Sequence, residues 1–366
     1  MAQPAPLCYP SPSLIPFELL PAVTQVPTDT ENSLTLSRSA RLSVAPMMDW
    51  TDRHCRYLHR LLSRHVLLYT EMVTAPAVLH GDPDHLLGFD AAEHPVALQL
   101  GGSDPAELAA ATKIAVARGY DEVNLNVGCP SDRVQSGRFG AVLMQEPALV
   151  AACAAAMQEA AGDVEVTVKC RIGVDEQEPR EVLPDFLARV SAAGIRRFSI
   201  HARKAWLQGL SPKENRDIPP LDYGLALEMV GLFPGLEISV NGGIASLDAA
   251  EEFLDQGFHG VMIGRAAYHS PTDILAAADR RIYGAPGPDR DPFDVVEAMI
   301  PYIEAQLAAG QRLNRITRHM LGLFAGRPGA RQWRRVLSEG AHLPDAGPAL
   351  VLEARDAVLQ AQNAAA

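Results

Sequence analysis

Hydrophobic residues along this chain recur with two periods in alternation, short β-rich runs and longer stretches at helical spacing. Eight runs have strand length: Leu42 to Ala45, Val66 to Thr70, Pro95 to Leu100, Glu122 to Val127, Val164 to Cys170, Arg197 to His201, Leu236 to Asn241 and Gly260 to Gly264. Between them lie helix-like segments such as Pro105 to Arg118, Pro147 to Ala161, Glu181 to Ala193 and Leu247 to Gln256, several behind capping residues such as Ser103 or Ser246. Eight strand and helix units in roughly 240 residues predict an α/β chain folded as a (β/α)8 TIM barrel, since a doubly wound sheet more often uses fewer strands. The barrel is expected over residues 41–284. The run Gly284-Ala285-Pro286-Gly287-Pro288 then breaks the period, giving a linker at 285–290. Beyond it Val295, Met299 and Ile303 keep helical spacing, so residues 291–366 are expected to form an all-helical domain. Residues 1–40, rich in proline, serine and threonine, read as a flexible extension without chemistry.

In a barrel of this kind the chemistry sits at the C-terminal ends of the strands. The run Asn124-Leu125-Asn126-Val127-Gly128-Cys129-Pro130 alternates polar and apolar residues and then stops on glycine and proline, which puts Cys129 at a strand tip. A lone cysteine is more often a small buried hydrophobe. A thiol between glycine and proline, beside two amides, fits a loop acid or nucleophile better. The other strand ends carry Ala45-Pro46-Met47, Gln99, Asn126, Lys169 with Arg171, His201 with Arg203, Asn241-Gly242-Gly243 and Gly264-Arg265. Lys169 lies on a strand expected to be buried and needs an anionic partner. The glycines ending the last two strands, with Arg265, suit a phosphate held by backbone N–H groups, so a phosphorylated cofactor or substrate is expected. A lone histidine at a strand end is often only a packing residue, but the recurrence of His201 in this polar set favours function.

Composition narrows the class. Five cysteines with no CxxC pair argue against a disulfide framework and a structural zinc site, and no cluster has metal-ligand spacing, so no metal is expected. No apolar run is long enough for a membrane span and no basic-then-apolar leader is visible, which predicts a cytoplasmic protein away from membranes. The net charge of -12 is unlike that of a nucleic-acid binder. Yet Arg312, Arg315, Arg318, Arg327, Arg331, Arg334 and Arg335 cluster near the C-terminus, opposed only by Glu339, a local basic surface fit for phosphates or simply for solvent. Trp333 within it is either an RNA-facing ring or a core anchor.

Together, Ala45-Pro46-Met47-Met48-Asp49-Trp50-Thr51-Asp52, Thr70-Glu71-Met72, the Asn124 to Pro130 run, Lys169, His201-Ala202-Arg203 and Asn241-Gly242-Gly243 resemble the tRNA-dihydrouridine synthases, over residues 42 to about 345. Arg203-Lys204-Ala205-Trp206, Leu210 to Arg216 and Gly329 to Arg335 resemble the branch acting at positions 20 and 20a of the tRNA D-loop. The resemblance implies FMN in the barrel mouth, with Ala45, Pro46, Met47, Gln99 and Lys169 at its ring or ribityl part and His201 close by. Asn241, Gly242, Gly243, Gly264 and Arg265 would hold its phosphate end. It further implies NADPH as reductant, hydride transfer to uracil C6 and a proton from Cys129 to C5; an unperturbed thiol, with a pKa of about 8.5, is mostly protonated at neutral pH. Asn126 would hold the base, while Lys213, Arg216, Arg331 and Arg334 would orient the tRNA. No obligate protein partner is implied. A flavin barrel reducing a small molecule and a non-catalytic RNA-binding module are the competing readings.

Overall fold

A computed structural model describes residues 36–131 and 138–365, so the proposed extension lies, up to residue 35, outside the described residues. Leu36–Ser39 already form a short helix, with Ser37 Oγ donating to Glu237 at 2.7 Å. The strand-length runs become β1 (Leu42–Val44), β2 (Leu67–Thr74), β3 (Val96–Gly101), β4 (Glu122–Val127), β5 (Glu165–Arg171), β6 (Arg197–His201), β7 (Glu237–Asn241) and β8 (Gly260–Ile263). Each pairs in parallel with the next and β8 pairs with β1, closing the expected barrel.

Helices follow the strands where the longer period stood, among them Pro105–Ala117, Pro147–Ala161, Pro179–Ala192 and Leu247–Asp255. Ser246 caps the last of these by accepting from the Ala249 N–H. Ser103 does not cap the first. The neighbouring Asp104 does, accepting from Ala106 and Glu107, because a carboxylate one residue later reaches two unpaired first-turn donors.

Alternation along β4 has an unexpected sense. Val123, Leu125 and Val127 are buried on one face, while Glu122, Asn124 and Asn126 bond to side chains of β2, β3, β5 and β6 and therefore fill the barrel. The apolar face is the outer one, covered by helices. Beside this polar set Ala40, Ala45, Leu67, Tyr69, Ala97 and Met262 make an apolar cluster, Ala97 in register with Glu122. At the N-terminal end of the strands the buried Arg197 ion-pairs with Glu122 at 2.9 Å, with Glu237 at 3.0 Å and with Glu165. Burial pushes the Glu165 carboxyl up to about 7 against the pull of Arg197.

From residue 292 onward the described elements are helices, Pro292–Ala308, Leu313–Thr317, Ala330–Gly340 and Pro348–Ala365, and Val295, Met299 and Ile303 are all buried. They are anchored on the helix Arg53–Leu62 that follows β1. Tyr302 stacks on Tyr57 with ring centroids 3.9 Å apart, and its hydroxyl meets His54 Nδ1 at 2.8 Å. Asp52 caps that barrel helix and also accepts from Arg318 at 2.6 Å and His319 at 3.0 Å. Burial would raise its carboxyl, but His319 and Arg318 together hold it well below the usual carboxylate range.

Candidate active site

The loop after β4 is built by one amide. Asn126 Oδ1 accepts from the backbone N–H of Gly128 and of Cys129, both at 3.0 Å, a turn that lifts the thiol off the strand end. Cys129 is partly exposed, its Sγ lies 3.5 Å from Ser131 Oγ, and its carbonyl accepts from Ala141. Asn126 Nδ2 in turn donates to Gln99 Oε1 at 2.7 Å. Gln99 stands in register with Asn124 across β3 and β4, and on its other side β2 bulges between Tyr69 and Met72, where Thr70 Oγ1 accepts the Gln99 N–H.

On the neighbouring strands Asn126 lies in register with Lys169, and His201 with both Arg171 and Asn241. Lys169 Nζ donates to Asn241 Oδ1 at 3.0 Å, and Asn241 Nδ2 donates to Met262 O, tying β5, β7 and β8 together. Burial, with Arg171 beside it, lowers the Lys169 ammonium to about 8. His201 is pushed well below its ordinary value by burial, then by Arg171, Lys169, Arg203 and Arg216, so its ring is neutral. The mouth of an acidic protein is thus locally cationic.

Gly242 follows β7 with φ of 114°, and a Cβ there would lie 2.6 Å from His201 Cδ2; Gly243 has φ of 69°. Both positions need bare backbone. The β1 loop folds back through Met47 N–H to Thr51 Oγ1 at 3.0 Å, and Met47 Sδ comes within 3.4 Å of where a Gly264 Cβ would stand. Arg265 reaches across to Asp217 at 2.8 Å. That carboxylate ends the short helix Glu214–Asp217, whose Arg216, like the preceding Lys213, is exposed at the rim.

The structure therefore gathers Ala45, Pro46, Met47, Gln99, Asn126, Cys129, Lys169, His201, Asn241, Gly242, Gly243, Gly264 and Arg265 at the C-terminal ends of the strands, as expected of them. Arg331 and Arg334 stand apart. Both are exposed, three residues apart on the helix Ala330–Gly340. Trp333 between them is a core anchor, fully buried, its Nε1 donating to Met320 O at 2.8 Å and its ring edge-on to Phe324.

Two residues matter more than their spacing suggested. Arg171 is buried and donates to Gly128 O at 3.1 Å, Lys204 O at 3.2 Å and Asn215 O at 2.9 Å, clamping the Cys129 loop to the loop after β6. Arg203 donates to Asp217 O and Pro219 O, while its buried Nε has no partner among the described residues.

A closed parallel barrel whose strand ends gather a loop thiol, a buried lysine and a cationic, glycine-lined mouth has the build of an α/β-barrel enzyme. The family model for dihydrouridine synthase matches residues 43–363, and the chain belongs to that family. A "tRNA-dihydrouridine(20/20a) synthase" of Vibrio vulnificus is 59% identical over 313 residues, which cover 85% of this chain and 95% of that protein. A protein of the same name from Escherichia coli K12 is 61% identical over 305 residues, 83% of this chain and 87% of its own length. Among solved structures, a 2-naphthoyl-CoA reductase complex superposes with a TM-score of 0.50 at 13% identity, over 67% of this chain and 50% of that one, a likeness of fold.

Proposed function

We propose that this protein reduces uridine to 5,6-dihydrouridine in the D-loop of tRNA, at positions 20 and 20a, using FMN and NADPH. The observation that carries the reading is the juxtaposition of the Cys129 turn with the cationic mouth formed by Lys169, Arg171, Arg203 and Arg216 around a neutral His201. Family membership and the activity for which the relatives are named support the substrate.

The mouth suits a flavin mononucleotide on grounds of charge and shape. Among the described residues Lys169 hydrogen-bonds to the Asn241 amide and has no carboxylate beside it, so an anionic ring edge completes its surroundings. Gly242 and Gly243 at the end of β7, and Gly264 beside Arg265 at the end of β8, offer backbone N–H groups of the kind a phosphate takes, with the Arg265 guanidinium shared with Asp217. Gln99 offers amide contacts, while Ala45, Pro46 and Met47 line the β1 side. FMN, when bound and reduced by NADPH, supplies hydride for uracil C6.

The chain's own residues do the rest. Cys129 Sγ gives a proton to C5, and solvent returns a proton to the sulfur left behind. Asn126 keeps one N–H to hold the base. The uridine has to leave its stack to reach this depth, at a cost of a few kcal/mol offset by phosphate contacts elsewhere. Lys213 and Arg216 at the rim, with Arg331 and Arg334 on the C-terminal helices, provide those contacts. Residues 41–284 thus serve as the flavin barrel and residues 291–366 as the tRNA-binding helices, joined at 285–290, in a cytoplasmic enzyme that needs no obligate protein partner.

Cys129→Ala tests the reading. The variant is expected to fold, keep FMN and bind tRNA, while dihydrouridine formation, mapped by nucleoside mass spectrometry, falls by about 10²-fold to 10⁴-fold. Undiminished product would remove Cys129 as the acid; no product from flavin-loaded wild-type protein would remove the reaction.

A further inference from the structure

The Cys129 turn is the upper end of a line of hydrogen bonds through the barrel interior. Starting from the N-terminal end, Thr167 Oγ1 donates to Glu122 Oε1 at 2.5 Å and Asn124 Nδ2 donates to Thr167 Oγ1 at 2.8 Å. Gln99 Nε2 donates to Asn124 Oδ1 at 2.8 Å, and Asn126 Nδ2 to Gln99 Oε1 at 2.7 Å. Asn126 Oδ1 then takes the N–H groups of Gly128 and Cys129. Every proton along the line points toward Glu122, which also accepts from Tyr69 and Arg197.

That direction is imposed from below. A hydroxyl has one proton, and Thr167 gives it to Glu122, so it meets Asn124 as an acceptor. Asn124 must present its NH2 to Thr167 and its oxygen to Gln99. An amide turned end for end at Asn124 or Gln99 would set oxygen against oxygen or NH2 against NH2 in a buried site, where an unmet polar group is costly. The choice passes upward to Asn126, whose oxygen is thereby aimed at the Cys129 turn, leaving one N–H for a carbonyl oxygen of the base. Glu122 and Asn126 are four residues apart on β4, about 13 Å.

We propose that Glu122 and Thr167 are positioning residues that act through Asn124 and Gln99 to orient the Asn126 amide and hold Cys129 in place. The proposal rests on the reading of Cys129 as the proton donor, and its test separates the two. Thr167→Val removes the hydroxyl at constant shape, and Thr167→Ser restores it. Two quantities are measured: the rate of Cys129 alkylation by iodoacetamide in protein without tRNA, followed on its peptide by mass spectrometry, and kcat and KM for tRNA. In Thr167→Val alkylation should speed up by about threefold or more and kcat fall by about tenfold or more, with KM within about twofold. Thr167→Ser should behave as wild type in both. If the valine variant does not fold, Thr167→Ala, which adds no bulk, takes its place. Wild-type values in the valine variant, or equal impairment in the serine variant, would overturn the proposal. A wild-type protein that makes no dihydrouridine would sink the reaction, while the alkylation comparison would still decide the hydrogen-bonded line.

Discussion

Lys169 shows what a single side chain contributes to the site. Its ammonium, lowered to about 8 by burial, gains charge stabilisation when an anion arrives beside it, so binding raises its pKa. Between about 8 and the raised value, binding takes up a proton, and affinity must then fall as pH rises through that window, by up to about tenfold per unit. Below pH 8 the lysine is already charged and the dependence should flatten. FMN titrations followed by flavin fluorescence from pH 7 to 10 are expected to show this break. Lys169→Met should bind more weakly at pH 7 and show no break; parallel curves for the two proteins would remove Lys169 from the flavin site. At this scale the sequence was most legible where a residue type contradicted its setting. A lysine on a buried strand and a cysteine between glycine and proline both signal function. Glu122 and Thr167 gave no such signal, because a polar residue alternating with valine or leucine reads as the solvent face. Trp333 stayed ambiguous because its neighbouring arginines fit a surface helix whichever way the ring points.

Strands and loops depend on a different kind of residue. The observed β4 and β6 have the bounds read from the chain, and the remaining strands differ mainly by a residue or two at their ends, because alternation and turn residues are local signals. The β2 strand is the exception, continuing to Thr74 through a bulge that no local pattern announces. What holds the loops to one another was illegible for the same reason: Arg171 bonds backbone carbonyls 33 to 44 residues distant in the chain. Replacing it with methionine leaves Gly128, Lys204 and Asn215 carbonyls unpaired around a buried site. Arg171→Met is expected to cost about 3 kcal/mol in urea denaturation and to free the Cys129 loop, with faster alkylation of its thiol. A loss below about 1 kcal/mol would mean that water replaces all three bonds and that the clamp is dispensable.

For the whole molecule the central fact is a charge distribution that opposes the net charge. The chain carries -12 overall, yet the barrel mouth and the outer face of Ala330–Gly340 are cationic. An acidic body bearing basic stations repels a polyanion in most orientations and accepts it in few. Those stations are held rigidly: Trp333 buries the inner face of the Ala330–Gly340 helix, and Asp52 ties Arg318 and His319 to the first barrel helix. Arg331 and Arg334 are therefore expected to contribute phosphate contacts and orientation, and nothing to the chemical step. In the Arg331→Ala, Arg334→Ala double variant, the slope of log affinity for tRNA against log salt should shrink by about 1.4 to 1.8, since each of the two phosphate contacts accounts for about 0.7 to 0.9. Its kcat at saturating tRNA should stay within about twofold of wild type, because Cys129, Lys169 and the mouth are untouched. Mapping the product adds the decisive part: with orientation weakened, dihydrouridine should spread beyond positions 20 and 20a. An unchanged salt slope would mean that the helix faces solvent in the complex, and that the rim residues Lys213 and Arg216 orient the tRNA without it.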